Sequence, residues 1–414
     1  MAHWPHIPDD GIAAVERVLR SGKISYWTGT QARDFEKEFA AYTGAAHAVA
    51  VANGTLTLEI ALRSLGIGPG DEVIVPSRTF IATAGSVVAL GAVPVICDID
   101  PDTNCLTALT VARVTTPRTR AVIVVHLGGY PAPMPELLDF TRQLDIAVIE
   151  DCAQAHGALS AGRAVGTWGD AGCYSFSQEK ILPLGEGGMI TYGRADETDA
   201  TTRDRARAHF EAAWSYRDHG RSWQKAHDAS VAAASPTFRY LNDSFGTNAR
   251  MGEMEGALGR VLLRHLPAWH AARAANAQVL VDALAGEQDL CRLLVLPQHE
   301  RERGSEHAYY RLYGLLNIAR LRDDWSRDRI VNELNARVSE RHPQATPAAQ
   351  YGSAAFIGRE AAWVANGLAA NQDLPGAQVA DGGSIAFYID PAHSTDDMQA
   401  IADTLVEILH AARV

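Results

Sequence analysis

Lysine is scarce in this chain. Only four of its 37 basic side chains are lysines, at positions 23, 37, 180 and 225. The guanidinium group of arginine stays protonated and cannot form a Schiff base with an aldehyde, whereas a desolvated lysine amine can. A chain that uses arginine almost everywhere can keep a lysine where the chemistry needs a primary amine. Lys180 is the candidate, because the run at residues 171–176 before it is mostly apolar. The alternative is an ordinary surface lysine after a strand.

Paired cysteines, long apolar runs and a leader segment are also missing. The five cysteines are scattered and contain no C-x-x-C pair, which is typical of a reducing cytosol and argues against a structural zinc. No window of roughly eighteen residues is apolar throughout, and the residues after Met1 show neither a basic head nor a hydrophobic run. We therefore expect a cytoplasmic protein with no signal peptide and no membrane partner.

Positive charge is in deficit. The formal net charge is −12 at pH 7, which disfavours nucleic acid and anionic membranes as partners. A phosphate group bound by this protein must then be held by local backbone amides and hydroxyls. A G-x-G-x-x-G loop after the first strand, which a nicotinamide-dependent oxidoreductase needs, is missing as well. The glycine-rich run at residues 66–70 contains Pro69 and lies between a helix and a strand, so we interpret it as a helix stop.

Short apolar runs alternate with helical stretches over the first half of the chain. Continuous apolar runs are typical of strands that are covered on both faces, and the segments between them are long enough for crossover helices. The predicted strands are residues 48–51, 72–76, 93–97, 121–125, 147–151 and 188–192. This pattern predicts an α/β fold with a mainly parallel sheet, whose catalytic residues lie at the carboxyl ends of the strands.

The length of 414 residues favours two domains. We place the boundary near residue 265, which gives a large domain at 1–265, with an N-terminal helical segment, and a small α+β domain at 266–414. Residues 197–240 are polar with little periodicity, and we interpret them as an extended connection. Helices are predicted at residues 8–21, 31–42, 251–266, 269–284, 325–337 and 395–411, with further strands at 309–316 and 383–388.

Two strand ends carry candidate site residues. Gly54 and Thr55 follow a strand and open a helix, where free amides, a hydroxyl and the helix dipole suit a phosphate, although an ordinary helix cap has the same pattern. Asp151 ends an apolar strand, where a carboxylate either stabilises nearby positive charge or caps the next turn. His156 follows, but no second histidine or cysteine lies at metal-ligand spacing, so we predict no metal site.

Five motifs together resemble the sugar aminotransferases of the DegT/DnrJ/EryC1/StrS family. They are Gly54-Thr55 and the runs at residues 76–80, 150–157, 175–188 and 245–251, in the family's order and spacing. The family consists of pyridoxal 5'-phosphate (PLP) enzymes of the aspartate aminotransferase fold, known as fold type I. The resemblance implies this fold for the chain, with a large PLP-binding domain and a small C-terminal domain.

The resemblance also implies roles for residues at matching positions. Lys180 would bind the cofactor covalently and, once released by the donor amine, move the proton between the reacting carbons. Asp151 would keep the pyridine nitrogen protonated, which makes the ring an electron sink. Phe80 would stack on the ring, and Gln154 would bind its phenolic oxygen. The phosphate would be held by Gly54, Thr55, Ser175 and, from the neighbouring subunit of a homodimer with sites at its interface, Asn248.

The implied reaction moves an amino group from an amino acid, L-glutamate or L-glutamine, to a keto-sugar in amino-sugar, antibiotic or polysaccharide biosynthesis. We expect a nucleotide-linked ketohexose as the acceptor, with a keto-cyclitol such as an inosose as the alternative. Trp27, His156 and Arg250 are the candidate substrate contacts, and the alternative for each is a packed loop residue. The runs at residues 214–223 and 341–346 depart from the family pattern and would face the acceptor.

Two other functions remain as alternatives. Family members that carry histidine in place of the reactive lysine are sugar dehydratases, and Lys180 therefore favours transamination. A regulator that binds PLP or a sugar without turnover is the alternative of another class. Lys180 and Asp151 argue against it, because a protein that only binds has no need of an electron sink.

Overall fold

One mixed sheet of seven strands occupies the first half of the chain in the computed structural model, which describes residues 4–227, 242–351 and 373–414. Its order is β1-β9-β8-β5-β4-β2-β3, parallel from β8 to β3, with β9 antiparallel to both of its neighbours. The predicted α/β fold with a mainly parallel sheet is confirmed. The strands of this half, of which β6 and β7 form a separate hairpin, are β1 (Ala45–Val51), β2 (Glu72–Pro76), β3 (Val93–Cys97), β4 (Thr119–Val125), β5 (Ala147–Asp151), β6 (Leu159–Ser160), β7 (Arg163–Ala164), β8 (Ala171–Ser175) and β9 (Gly188–Arg194).

The central strands are buried on both faces. On β2, Val73 and Val75 belong to one apolar core and Ile74 belongs to another, because successive side chains of a strand point to opposite faces. All three side chains are fully buried. This two-sided burial explains why the strands are continuous apolar runs in the sequence.

Strand β8 was not among the predicted strands, although it is fully buried and pairs with β5 and β9. It contains Gly172, where an added Cβ would overlap the backbone of Gly166. A glycine inside a strand marks such a close backbone approach, and it also weakens the sequence signal for a strand. The missed strand is the one that leads directly to Lys180.

The described residues form thirteen α-helices, and none of them is long and apolar enough to cross a membrane. The helices are α1 (Asp9–Ser21), α2 (Gln31–Thr43), α3 (Gly54–Ser64), α4 (Ala82–Ala89), α5 (Ala108–Val114), α6 (Met134–Gln143), α7 (Ala200–Arg217), α8 (Trp223–His227), α9 (Glu253–Ala283), α10 (Gln298–Glu302), α11 (Arg327–Arg341), α12 (Pro375–Gly383) and α13 (Thr395–Ala412).

Helix α7 corrects the prediction of an extended connection at residues 197–240. The Asp199 side chain caps the helix by accepting from the Thr202 amide at 2.7 Å. Its buried residues are Ala206, Ala213, Trp214 and Arg217. Trp214 is the one large apolar side chain among them, so the sequence shows no apolar helical period. Residues 228–241 of the predicted connection lie outside the described residues.

Helix α9 replaces the two helices predicted at residues 251–266 and 269–284, and Pro267 lies inside it. Its first part packs in the core that also contains Phe35 and Phe39 of α2, whereas Ala277 and Leu280 belong to the core of the C-terminal part. The helix therefore runs across the predicted domain boundary near residue 265. The division into two domains at that point stays a prediction.

A second sheet of four antiparallel strands forms the C-terminal part, in the order β10-β11-β13-β12. It packs against α9, α11 and α13 around buried residues such as Leu334 and Leu405. The predicted strand at 309–316 begins only at Arg311, and the helix predicted at 325–337 runs from Arg327 to Arg341. The strands are β10 (Cys291–Leu293), β11 (Arg311–Leu316), β12 (Ala349–Tyr351) and β13 (Ser384–Tyr388).

Glu150, on β5, is a fully buried carboxylate that fastens the segment leading into β8. It accepts backbone hydrogen bonds from Gly166 at 2.7 Å, Trp168 at 2.7 Å and Gly169 at 2.8 Å. Its Oε2 also lies 3.1 Å from Nε2 of His126. His126, Glu150 and Cys152 bring potential metal ligands within 4.8 Å of one another, but both carboxylate oxygens already accept backbone hydrogen bonds. We therefore interpret this cluster as structural.

Replacing Glu150 with alanine should destabilise the protein strongly, because three backbone amides and the buried His126 would lose their partner. Losing one partner of a buried charged network costs about 3–5 kcal/mol, which corresponds to a drop of roughly 5–10 °C in the thermal unfolding midpoint. Differential scanning fluorimetry measures the shift. Glu407→Ala, which removes a half-exposed carboxylate, is the matched control. Equal midpoints for the two variants would contradict the role of Glu150.

Candidate active site

Asp151 and the loop that carries Lys180 meet at one edge of the sheet. Strand β5 pairs in parallel with β8, with Asp151 opposite Cys173, so both strands end at the same edge. The loop then turns back, with the Lys180 amide donating to the Ser177 carbonyl at 2.9 Å. The indole of Trp4 donates to the carbonyl oxygen of Lys180 at 3.2 Å. The backbone of Lys180 is thus held from both sides.

The amine of Lys180 is partly buried and lies near charges of both signs. Burial lowers the pKa of Lys180, the carboxylate of Asp151 raises it, and the guanidinium of Arg311 lowers it. Burial is the largest of these effects, so the net direction is downward. Nζ lies 5.0 Å from the centroid of the Tyr310 ring. A lysine whose pKa is lowered has more neutral amine at neutral pH, as a nucleophile or general base requires.

Asp151 is 8% exposed and both of its oxygens are oriented by donors. Oδ1 accepts from the Ala153 amide at 3.1 Å, and Oδ2 accepts from the Thr83 hydroxyl at 3.1 Å. Burial raises the pKa of Asp151, while these two hydrogen bonds and the nearby charge of Lys180 oppose the rise. A buried carboxylate in this position favours a cation bound next to it.

The start of α3 forms a cradle with the end of β8. Gly54 is the first residue of the helix, and an added Cβ at this position would lie 2.5 Å from Cβ of Ser175. The Asn53 side chain caps the helix by accepting from the Leu56 amide at 3.0 Å. The first amides of a helix have no partner within the helix, so those of Gly54 and Thr55 are available beside the Ser175 hydroxyl. This arrangement suits a phosphate group.

Gln154 and Phe80 complete the group of residues around this edge. Oε1 of Gln154 accepts from the Gly128 amide at 2.7 Å, so its side-chain amide nitrogen is left to donate to another oxygen. Phe80 follows β2, and its ring is 65% exposed. The residues present fit pyridoxal phosphate. This cofactor needs a hydrogen-bond donor for its phenolate, an aromatic ring to stack on, a phosphate site, a carboxylate for its ring nitrogen and an amine for its aldehyde, and this edge of the sheet offers all five.

The three predicted substrate contacts are in other surroundings. Nε1 of Trp27 donates to Asp218 at 2.8 Å, and Arg250 forms an ion pair with the same fully buried carboxylate. His156 is 1% exposed, and its ring centroid lies 5.4 Å from that of Tyr174. Burial, followed by the charge of Lys180, lowers the pKa of His156 to about 3, so the ring is neutral. The predicted substrate contacts of Trp27, His156 and Arg250 stay predictions.

A cavity of about 790 Å³ lies beside the Lys180 loop and is walled by the C-terminal sheet. Its wall includes His342, Gln344 and Thr346, from the run at 341–346 that departs from the family pattern. Trp214, from the other departing run, is 2% exposed and belongs instead to the core that contains β1 and α3. Trp27, His156 and Arg250 do not line this cavity. Six residues that the sequence did not indicate as substrate contacts do line it, namely Trp4, Gln178, Glu179, Arg273, Arg311 and Tyr388.

Asn248 lies on an exposed segment next to the turn that ends α7. It forms an isolated antiparallel bridge with Asp218. Phe245, three residues earlier, is fully exposed. The predicted contact of Asn248 with a phosphate in a neighbouring subunit stays a prediction.

Comparison with known proteins gives consistent matches. A profile of the DegT/DnrJ/EryC1/StrS aminotransferase family matches residues 5–405. The chain is 37% identical over 317 residues to UDP-N-acetyl-3-dehydro-α-D-glucosamine 3-aminotransferase from Acidithiobacillus ferrooxidans, and the alignment covers 76% of each protein. It is 38% identical over 292 residues to L-glutamine:2-deoxy-scyllo-inosose aminotransferase from Streptoalloteichus tenebrarius, covering 69% of the chain and 65% of the relative. A solved aminotransferase from Psychrobacter cryohalolentis superimposes with a TM-score of 0.89 at 37% identity, over 99% of both chains.

The amine of Lys180 should titrate below its ordinary value of 10.5 in the cofactor-free protein. Acetylation of Lys180 at different pH values, followed by mass spectrometry of its peptide, measures the midpoint. Asp151→Asn should lower this midpoint further, because the carboxylate raises the pKa, and Arg311→Gln should raise it. The exposed Lys37 is the internal control, whose reaction should not respond to either substitution. A midpoint that rises in Asp151→Asn would contradict the coupling.

Proposed function

The chain belongs to the DegT/DnrJ/EryC1/StrS aminotransferase family, and we propose which residues carry its PLP-dependent transamination and which keto-sugar it aminates. The observation that carries the residue assignment is the electrostatic coupling of Lys180 with Asp151 at two adjacent strand ends. The amino donor is L-glutamate or L-glutamine. The acceptor is a nucleotide-linked ketohexose.

The roles of the residues follow from their surroundings. PLP supplies an electron sink for the carbanion that forms at the donor's α-carbon. Lys180 would hold the cofactor through its amine, and its neutral amine would accept the proton from the donor's α-carbon. Asp151, oriented by Ala153 and Thr83, would keep the pyridine nitrogen protonated. In a low-dielectric site this fixed charge stabilises the transition state without reorganisation.

The remaining cofactor contacts position the ring. Gln154, whose Oε1 is taken by the Gly128 amide, would donate its amide hydrogen to the phenolic oxygen, and the exposed Phe80 would stack on the cofactor ring. Gly54, Thr55 and Ser175, which lie close together, would hold the phosphate. Asn248, on its exposed segment, completes the phosphate site of the neighbouring subunit in a homodimer with sites at the interface.

The acceptor proposal is supported by the relative from A. ferrooxidans, which acts on a UDP-linked 3-keto-sugar by its name and aligns over 76% of both chains. The inosose aminotransferase of S. tenebrarius supports the alternative, a keto-cyclitol, over a smaller share of each chain. A cavity of about 790 Å³ has room for either acceptor.

Lys180→Ala should retain PLP loosely and lose turnover, because no other amine of the described site can take its place. Asp151→Asn should slow the proton-transfer step by roughly 10²- to 10⁴-fold, since the pyridinium charge is lost and each tenfold is about 1.4 kcal/mol. Bleaching of the PLP absorbance by L-glutamate, with release of 2-oxoglutarate, measures the step. Asp196→Asn, at a side chain that is 73% exposed, is the control. A near-wild-type rate in either site variant would remove that residue from its role.

Restoration of the PLP absorbance by keto acceptors tests the second half of the proposal. The bleached enzyme is mixed with a panel of nucleotide keto-sugars and inososes, and the rate of colour return is compared. We expect recovery with a nucleotide-linked keto-sugar to exceed that with an inosose by at least about tenfold. Faster recovery with an inosose would establish the keto-cyclitol alternative. A protein that binds PLP but is bleached by no amino acid would be the non-catalytic regulator.

A further inference from the structure

A second cavity, of about 320 Å³, lies at the edge of the seven-stranded sheet opposite to the Lys180 loop. Its lining includes the amino ends of parallel strands, with Ala147 at the start of β5 and Gly169 just before β8. Asp151 is at the other end of β5, so the length of this strand, about 13 Å, separates the cavity from the candidate active site. The two sites are therefore distinct.

The lining of this second cavity is rich in arginine. Five arginines meet three carboxylates there, which leaves a formal excess of two positive charges in a chain whose net charge is −12. The arginines are Arg120, Arg142, Arg163, Arg194 and Arg205, and the carboxylates are Asp145, Asp170 and Glu197. Positive charge is thus concentrated locally against the charge of the whole protein, and such a patch attracts anions.

Two of the five arginines already have carboxylate partners. Nη2 of Arg205 lies 3.4 Å from Oδ1 of Asp170, and Nη2 of Arg194 lies 2.6 Å from Oδ2 of Asp196. Glu197 is occupied locally, because its Oε1 accepts from the two backbone amides that follow it at 2.9 and 3.0 Å. The carboxylates of the lining therefore leave part of the positive charge uncompensated.

The other three arginines, Arg120, Arg142 and Arg163, pair with no carboxylate among the residues that the structure describes. Arg163 is half-buried, whereas the other two are exposed. Burial lowers the pKa of Arg163 to about 10; Glu150 opposes this shift, and the guanidinium groups of Arg194 and Arg142 add to it. Neighbouring cations that repel one another are stabilised by an anion bound between them.

Arg163 is held in one orientation by its neighbours. Its Nε donates to the Thr167 hydroxyl at 3.0 Å, and its Cζ lies 4.5 Å from the centroid of the Trp168 ring. Neither Nη1 nor Nη2 donates to a residue within 4–227, 242–351 and 373–414. A guanidinium that is fixed through Nε and through its face presents both terminal nitrogens as a fork, which suits two oxygens of a phosphate.

The wall that carries this fork is anchored to the sheet. Glu150 accepts three backbone hydrogen bonds from the segment at residues 166–169, and Oδ2 of Asp170 accepts from the Val148 amide at 2.9 Å. These bonds exist before a ligand binds. Association then costs less conformational entropy than it would with a loop that must be ordered.

From these contacts we propose that the second cavity binds an anion of the phosphate class, with Arg163 as the bidentate donor and Arg120 and Arg142 as further cations. A diphosphate group suits it best, because its multiple charges can be shared among three arginines that lack carboxylate partners. A volume of about 320 Å³ is at the lower end of small-molecule sites and has room for such a group. The inference does not depend on the proposed transamination.

Titration calorimetry with inorganic diphosphate tests the proposal. The PLP-loaded enzyme is used, so that the phosphate cradle at Gly54 is filled, and NaCl keeps the ionic strength constant. Arg163→Gln should raise the Kd about 10- to 100-fold, because a charge-assisted bidentate contact is lost. Arg163→Lys should recover part of the affinity, since the charge is kept and the fork is not. Arg17→Gln, which removes an exposed arginine of α1, should leave the Kd unchanged.

A second variant keeps the test valid if Arg163→Gln does not fold. Arg142 is exposed, so Arg142→Glu should retain the fold, and its reversed charge should weaken diphosphate binding by at least about tenfold. The thermal unfolding midpoint of each variant without ligand verifies the fold. Absence of diphosphate binding to the wild type would overturn the proposal. Binding that is equally tight in folded Arg163→Gln and Arg142→Glu would overturn it too.

Hydrogen exchange followed by mass spectrometry locates the bound anion. Diphosphate should slow exchange in the peptide that spans residues 163–170 and leave α1 unchanged, because a ligand stabilises the segment that it contacts. Slowing that is confined to the loop of Lys180 would contradict the second site. Comparison with UDP identifies the source of the group: tighter binding of UDP that Arg163→Gln weakens indicates a nucleotide, and equal binding indicates the diphosphate group alone.

Discussion

The parallel pairing of β5 with β8 is the constraint on which the site depends. It brings Asp151 and the loop of Lys180 to one edge of the sheet, where each influences the charge of the other. Glu150 and Asp151 are neighbours in β5 and point to opposite faces, so one carboxylate fastens the segment before β8 and the other lies near Lys180. Glu150 secures the segment that precedes β8, and the pairing of the two strands follows from that anchor.

Residues from both parts of the chain influence the pKa of the Lys180 amine. Asp151, from the seven-stranded sheet, raises the pKa of Lys180, and Arg311, from the four-stranded sheet, lowers it. Trp4, from the first described residues, holds the backbone of Lys180. The C-terminal part therefore influences the pKa of the Lys180 amine and also forms a wall of the cavity beside the Lys180 loop.

Burial separates residues that look alike in the sequence. Arg250 and Arg311 are both arginines next to aromatic or apolar neighbours, but Arg250 forms an ion pair with the buried Asp218, whereas Arg311 pairs with no carboxylate among the residues that the structure describes. His156 follows the Asp151 motif closely, and yet its ring is enclosed beneath the site. These differences arise from residues that are distant in the sequence. Asp218, which pairs with Arg250, lies 32 residues before it in the chain.

The sequence by itself determined the α/β class, the predicted strands, the candidate lysine, the carboxylate and the glycine of the phosphate cradle, because these depend on local runs and on residue types that the chemistry requires. Only the tertiary structure revealed β8, whose glycine weakens its pattern, and α7, whose buried face has a single large apolar side chain, Trp214. It alone also placed Arg311 beside the reactive amine, since that proximity comes from the packing of two sheets that are distant in the chain.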